Sequence, residues 1–546
     1  MTIDDIISQI LKNRGIDSTL KVEEFFHPKH PKDIPSPFDS QPAIDLINSH
    51  IQKNSPIAIY GDYDVDGICS TAILWETLHA NYERVFPHIP HRRTEGYGLS
   101  KAGVDHCLSQ GAKLIIAVDN GIVAHEVVDY ARSQDCDVII IDHHEKKETD
   151  PNANVILHST SSCAAGLTWF FCRDFIHSLP STESGEGKGV RLELVALATI
   201  CDQVPLIGTN RSFAKYGLED LNRTTRPGLL ALFSEASILP STESGEGSGV
   251  RFNLSTYHVG FIIGPRLNAS GRLEHAIDSL RLLCTTNPVR AAELAKTLGD
   301  TNRSRQELTE EAVSHALSHL AIQPSNNLLV ASSDTYDEGI IGLIAAKLSE
   351  KFHRPAVAIA VGPEISKGSA RSIPGFNITD HLRQFSDLLL GVGGHAAAAG
   401  FSLPTQNLPA FTESVNHPEI PPELLVKVQK YDLEIDLGFV NWDLWLALKE
   451  FEPFGLGNPR PVFYTKNVEV RNPKKIGKLS NHLKFQVGSL DAIYFNYISP
   501  STESERSEVG GEVDLVYSID ENVWNGEKKL QLLIKELKSF NGSATR

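Results

Sequence analysis

No apolar run in the 546-residue sequence approaches the roughly 20 residues that a bilayer-spanning helix requires, so no membrane is expected as a partner. Cysteine is scarce and scattered. The seven residues include no CxxC pair, and an odd count argues against a disulfide framework, usage that fits a reducing compartment. The opening stretch MTIDDIISQILKNRGI is acidic early and has no signal-peptide core, so a cytoplasmic location is expected. Basic charge is also in deficit: 51 Lys and Arg against 68 Asp and Glu leave a formal net charge of -17. Net charge governs solubility and long-range steering rather than any one groove. It therefore leaves a nucleic-acid substrate open, because basic clusters persist in PHRRTEGYG, NRTTRPG and RNPKKIGK. With 41% hydrophobic and 22% charged residues, the composition is that of a globular protein, and the length calls for several domains.

Residues 1–55 read as amphipathic helices followed by the Pro-rich FHPKHPKDIPSPFD. From Pro56 to about 285, short β-rich runs such as PIAIYGDYDVDG, KLIIAVDNG and DVIIIDHH are separated by helical segments. That alternation predicts βαβ units and a mainly parallel sheet. Residues 286–325 predict a long connecting helix whose weakest point is near Gly299. A second α/β segment follows over 326–415, and short strands with polar turns over 425–546 predict a small β-barrel. LPSTESGEGKGVR at 179–191 recurs as LPSTESGEGSGVR at 239–251, and PSTES returns at 500–504. These Ser/Glu/Gly-rich segments cannot build a core and read as exposed loops.

The chemistry concentrates in the first α/β segment. GDYDVDG places Asp62, Asp64 and Asp66 at alternate positions, a spacing that sets carboxylates on one side of an extended segment. A calcium loop is excluded, because the twelfth position would be Ile73 rather than Glu. Asp119, Asp142 and Asp202 each follow an apolar run, and Asp142 leads into His143 and His144. One such Asp could be a helix cap. Crowded carboxylates repel one another unless cations hold them, and mixed carboxylate and imidazole donors suit Mn²⁺ or Mg²⁺ better than structural zinc. Two such ions sharing a carboxylate would support metal-dependent phosphoester hydrolysis.

In this order, YGDYDVDG, VDNGI, DHH and ATICDQVPL resemble the motifs of the DHH phosphoesterase superfamily, and within it the RecJ single-strand-specific exonucleases. The similarity runs over nearly the whole chain. It implies two α/β domains (DHH catalytic and DHH-associated) joined by a long helix, plus a C-terminal OB-like β-barrel. It implies that Asp64, Asp66, Asp119, Asp142, His143 and Asp202 form the catalytic metal site, with Asp62 and His144 in or beside the shell and two Mn²⁺ or Mg²⁺ ions as cofactors. GFIIGPRLNASGRLEHA implies that Arg266 and Arg272 face substrate phosphate. KGSARSIPGFNI and GVGGHAAAAGFSL imply phosphate or 5′-end binding through Ser369, Arg371, Ser372, Gly394 and His395. The barrel would offer Arg471, Lys474, Lys475, Lys478 and Lys484 as charge and Phe485 as stacking surface.

The implied activity is 5′→3′ degradation of single-stranded DNA to mononucleotides in repair and recombination, with a helicase and a single-strand-binding protein as partners. The competing readings are a phosphodiesterase of short oligoribonucleotides or cyclic dinucleotides, and a non-catalytic replication scaffold. The chain departs from the family pattern at TYDEGIIG, where Tyr336-Asp337 stands in place of a Trp-His pair.

Overall fold

Strands built on continuous apolar runs need both faces covered, and this chain has three of them side by side. β1 (Ile57–Tyr60) and β3 (Leu114–Val118) are wholly buried, and β4 (Asp137–Asp142) is buried after its first residue. With β2 (Val85–His88) and β5 (Val155–His158) they form a parallel sheet in the order β2-β1-β3-β4-β5. After β2 the chain returns to the other side of β1, so the carboxyl ends of β1 and β3 flank a topological switch point. Helices Lys101–Ser109 and His125–Ser133 cover one face, placing Val104, Cys107, Val128 and Ala131 on Tyr60, Ile115, Ala117 and Ile140.

The computed structural model describes residues 1–179, 190–241, 250–320, 327–477, 480–497, 511–524 and 527–539. The STESGEG copies and the third PSTES fall almost wholly outside the described residues, as does Lys478.

The second sheet is mixed. β6 (Leu329–Ser333) and β7 (Ala356–Ala360) are parallel, while β8 (Ile365–Arg371), β9 (Gly391–His395) and β10 (Ala398–Pro404) add antiparallel pairs in the order β6-β7-β8-β10-β9. The connecting helix, Pro288–Leu320, runs about 50 Å. It is not broken at Gly299. A Cβ there would lie 2.0 Å from Glu235 Oε1, so glycine serves a close approach rather than a kink. The N-terminal half buries Leu294, Ala295 and Leu298, and the C-terminal half gives Ala312 and Ala316 to the core of the second sheet. Both α/β domains thus fall in one compact unit, Pro35–Asp202 with Tyr216–Lys427.

The other unit comprises Met1–Ile34, Gln203–Lys215 and Val428–Arg546. The segment 1–55 is therefore divided. Ile6 and Ile10, one turn apart on helix Ile3–Asn13, and Phe25 join Leu444, Phe451 and Phe463 in the core of this unit. Helix Gln41–Gln52 belongs to the first sheet's unit, where His50 Nε2 is 2.9 Å from Asp137 Oδ2. Arg211, 1% exposed, ties the barrel's unit together through Phe25 O (2.6 Å), Phe451 O (3.1 Å) and Glu452 O (3.0 Å). The barrel is closed. After the short β11 (Leu433–Glu434), β12 (Phe463–Ile476), β13 (His482–Val487), β14 (Leu490–Tyr494), β16 (Glu527–Ser539) and β15 (Gly511–Trp524) pair in succession, and β15 returns to β12. Among the described residues, no helix is long and apolar enough to cross a membrane.

Candidate metal centre

The triplet Asp62, Asp64, Asp66 does not lie along one extended segment. β1 stops at Tyr60, and Asp64 caps helix Val65–His79, its Oδ1 accepting the Asp66 and Gly67 amides at 2.9 and 3.1 Å. The turn is tight: a Cβ on Gly67 would stand 2.6 Å from the Asp62 backbone. Asp66, inside the first helical turn, accepts the Ala164 and Ala165 amides at 2.8 Å each. Those amides open helix Ala164–Ser178, whose dipole favours a carboxylate there. Asp119 follows β3 with φ 63, a left-handed conformation uncommon outside glycine and often found at functional sites.

Three groups of donor atoms result, each within 4.8 Å: Asp62, Asp64 and Asp119; Asp66, His143 and Asp202; and Asp119, His143 and His144. His143 Nε2 lies 3.3 Å from Asp119 Oδ1, 3.6 Å from Asp66 Oδ2 and 3.8 Å from Asp202 Oδ2. The groups overlap at Asp119 and His143, an arrangement able to hold two cations side by side. Both Asp62 oxygens and Asp119 Oδ1 are buried without a hydrogen-bond partner, which is what uncompensated ligands of a cation look like. Burial, reinforced by neighbouring carboxylates, pushes Asp62 and Asp119 well above the usual range. Burial likewise raises Asp66, against the opposing charge of His143. For Asp202, burial with the charges of Asp66 and Asp64 brings the value to about 8.

Two residues take positions the sequence did not indicate. Asp202 ends no strand; it caps the C-terminus of helix Glu193–Cys201. The run LVALATIC is a helix buried on all sides, and a continuous apolar run does not distinguish that from a buried strand. Asp142 is in none of the three donor groups. Its Oδ1 accepts the amides of His143 (2.7 Å) and His144 (3.1 Å) and meets His144 Nδ1 at 2.7 Å, while Oδ2 accepts the Ile122 amide at 3.0 Å. Burial pushes Asp142 up, but these bonds and the His144 charge outweigh it and hold the carboxyl below its ordinary value. Burial opposes protonation of His144, yet the bond to Asp142 raises it to about 9. The far side of that ring, Nε2, is 3.0 Å from the Tyr97 hydroxyl.

Arginines gather nearby within the same unit. Burial, then the charges of Arg92, Arg305 and Arg371, lowers the Arg272 guanidinium to about 10. Arg371 bonds Ser369 Oγ at 3.2 Å and Ala370 O at 2.8 Å, and Gly342 leaves room beside it, since a Cβ there would be 3.1 Å from Nη2. Gly394 takes φ 144 where a Cβ would strike Ala398 O, and His395 is exposed at the end of edge strand β9. Ser372 is turned inward and donates to Phe376 O at 2.6 Å. Arg266 is engaged by Glu235 at 2.7 Å. Arg92 and Arg305 were not singled out from the sequence. Arg92 stands in the noted PHRRTEGYG cluster, whereas Arg305 lies on the long helix, where a charge reads as solvated surface.

Three further expectations change. Phe485 is 1% exposed and belongs to the barrel core, so it offers no stacking surface. Arg471 and Lys484 pair with Glu469 and Asp491, while Lys474 and Lys475 are exposed on β12. Arg226 of NRTTRPG is consumed by Glu76 and Glu193. Tyr336 is 5% exposed with its hydroxyl 2.9 Å from His315 Nδ1, and Asp337 accepts from Arg93 at 2.6 Å.

The chain matches three described families: the DHH family, N-terminal domain, over residues 56–199; the DHHA1 domain over 325–417; and the RecJ OB domain over 431–536. It is 33% identical over 551 residues to the single-stranded-DNA-specific exonuclease RecJ of Bacillus subtilis, covering 98% of this chain and 68% of that one. The protein of the same name from Escherichia coli is 30% identical over 532 residues, covering 91% and 89%. Among solved structures, RecJ of Thermus thermophilus in complex with Mn²⁺ superposes with a TM-score of 0.80 at 25% identity, covering 98% of this chain and 76% of that chain. A second, exonuclease RecJ bound to manganese, gives 0.59 at 30% identity, covering 71% and 95%. The overlapping donor groups stand on the fold that carries manganese in those relatives, and the chain belongs to the RecJ family.

Proposed function

We propose that the protein is a metal-dependent exonuclease specific for single-stranded DNA, releasing mononucleotides in the 5′→3′ direction during DNA repair and recombination. The observation that carries this is the set of overlapping carboxylate and imidazole groups at the switch point, with Arg92, Arg272, Arg305 and Arg371 gathered beside it. Asp62, Asp64, Asp66, Asp119, His143 and Asp202 would hold two Mn²⁺ or Mg²⁺ ions. When bound, such a pair supplies Lewis acidity to the phosphodiester and to the attacking water.

The chain's own residues prepare that site. Helix amides fix the angle of Asp66, and Asp142 fixes the ring and proton of His144. Supporting bonds of this kind set donor orientation as firmly as the donors themselves. Arg272 and Arg371, with Ser369, hold strand phosphates, and Arg371 presents a planar fork matched to two phosphate oxygens. Lys474 and Lys475 of the barrel add sequence-independent attraction for the strand. A cytoplasmic setting with a helicase and a single-strand-binding protein as partners completes the proposal.

The test incubates purified protein and Mn²⁺ with strands labelled at either end, a duplex and a dinucleotide. Mononucleotides released from the 5′ end of single strands alone are expected. Turnover confined to the dinucleotide would move the protein to a small-substrate phosphodiesterase.

A further inference from the structure

The turn 336–339, where the sequence departs from the family pattern, has no part in the chemistry described so far. Asp337 reaches from the second α/β domain to Arg93 of the first, its Oδ2 lying 2.6 Å from Nη2. The other oxygen accepts the Gly339 amide at 2.7 Å, so the carboxylate is fixed on its own turn. That turn is seated on Arg272. A Cβ on Gly339 would stand 2.0 Å from Arg272 O, and Arg272 Nη1 donates to Gly339 O at 3.4 Å. The helix of Arg272 in turn abuts the segment that carries Asp64. A Cβ on Gly271 would lie 2.5 Å from Tyr63 O, and Asn268 Oδ1 accepts the Val65 amide at 3.1 Å. Arg92, next to Arg93, sets its guanidinium carbon 5.1 Å from the centre of the Tyr63 ring. The contacts close a circuit from Tyr63 through Arg92, Arg93, Asp337 and Arg272 back to Tyr63, beside the donor Asp64.

We propose that Arg93 is a further phosphate ligand for the strand, and that Asp337 occupies its guanidinium until a phosphate takes the carboxylate's place. The inference rests on the single-strand exonuclease reading and adds a binding residue and its internal competitor to it. Placement favours this role. The pair lies between Arg92 and Arg272, two of the arginines gathered beside the acid cluster, so a strand held by those two brings a neighbouring phosphate to Arg93. Exposure favours it too. The Arg93 side chain is 50% open to water and that of Asp337 27%, and an ion pair so exposed is weak, so one anion readily replaces the other. A phosphodiester offers the guanidinium two oxygens, as a carboxylate does. Where the family pattern has an imidazole, this chain therefore sets an anion already engaged by a cation. The carboxylate reduces the grip of Arg93 without abolishing it, and so eases release of the strand.

The test uses the full chain with Mn²⁺ and steady-state hydrolysis of a labelled single strand over a range of salt concentrations. Asp337→Asn keeps an oxygen for the Gly339 amide and removes the charge, whereas Arg93→Gln removes the guanidinium. The two variants are expected to move KM in opposite directions: Asp337→Asn lowers it about three-fold and Arg93→Gln raises it about three-fold, with kcat little changed. In Arg93→Gln the slope of log KM against log salt should fall by about 0.7, the share of one phosphate contact on a single strand. The double variant should match Arg93→Gln alone, because the carboxylate acts only through the guanidinium. A pair that merely braces the two domains is lost equally in either variant, so KM shifts of the same sign overturn the proposal. So does an unchanged KM or salt slope in Arg93→Gln. A fall in KM on Asp337→Asn that persists without Arg93 also overturns it, since the carboxylate would then repel the strand directly. If the unmodified protein degrades no single strand, the exonuclease reading fails before any variant is made, and the role of Arg93 falls with it.

Discussion

Mn²⁺ binding at the acid cluster should release protons and weaken steeply on acidification. Burial and the charges of Asp66 and Asp64 put Asp202 at about 8, and Asp62 and Asp119 are pushed up by the same causes. A cation must displace those protons before it can be held. With a value near 8, Asp202 is about half ionised at about pH 8 and roughly one part in a hundred at about pH 6. That alone lowers affinity about 50-fold over the interval, on the order of 2 kcal/mol, and protonated Asp62 and Asp119 steepen the fall. Metal-free stability should run the other way. A carboxyl raised from 3.8 to about 8 binds more protons when folded, so its stabilisation is full below the unfolded value and is lost as pH rises toward the folded one. Titration calorimetry at three pH values, in two buffers of different ionisation enthalpy, counts the protons released. Scanning calorimetry with and without chelator follows the Tm, which should decline from about pH 5 to about pH 8 only without metal. Asp202→Asn should release about one proton fewer. Affinity independent of pH, with no proton release, would refute the reasoning.

Three further outcomes are expected. Asp142→Asn removes the charge that holds the His144 proton and turns one of the two accepting oxygens into an NH2 donor, and should lower activity or Mn²⁺ affinity about 10- to 100-fold with the circular dichroism unchanged; full activity would exclude Asp142 from positioning the site. Gly67→Ala drives a methyl into the Asp62 backbone and should cost about 1–3 kcal/mol in urea unfolding, with loss of Mn²⁺ binding. Arg371→Ala should weaken strand binding and reduce the slope of log affinity against log salt by about 0.7, the share of one phosphate contact on a single strand; an unchanged slope would mean that Arg371 meets no phosphate.

Much of the architecture was legible because local physics enforces it. The apolar runs IAIY, LIIAV and VIII can only be covered on both faces, which dictates a parallel sheet and brings Asp119 and Asp142 to its carboxyl edge. The chain pattern likewise singled out His143, Asp62 and Asp64 as candidate donors, and each falls in a group of donor atoms lying within 4.8 Å of one another. Other features depend on contacts between residues distant in sequence. LVALATIC gives the same apolar run whether strand or helix, so only packing placed Asp202 at a helix end facing His143. Asp142 reads from the sequence as a ligand; that its oxygens accept the amides of Ile122, His143 and His144 is seen only in the tertiary structure. Phe485 alternates correctly for a strand, but which face of a barrel strand points inward follows from closure of β15 onto β12. Arg305 carried no local signal, because a charge gains a role only from what tertiary structure sets beside it. Sequence determined the elements and the kinds of donor; tertiary structure decided which carboxylates lie close enough to share a cation and which are occupied by hydrogen bonds to their neighbours.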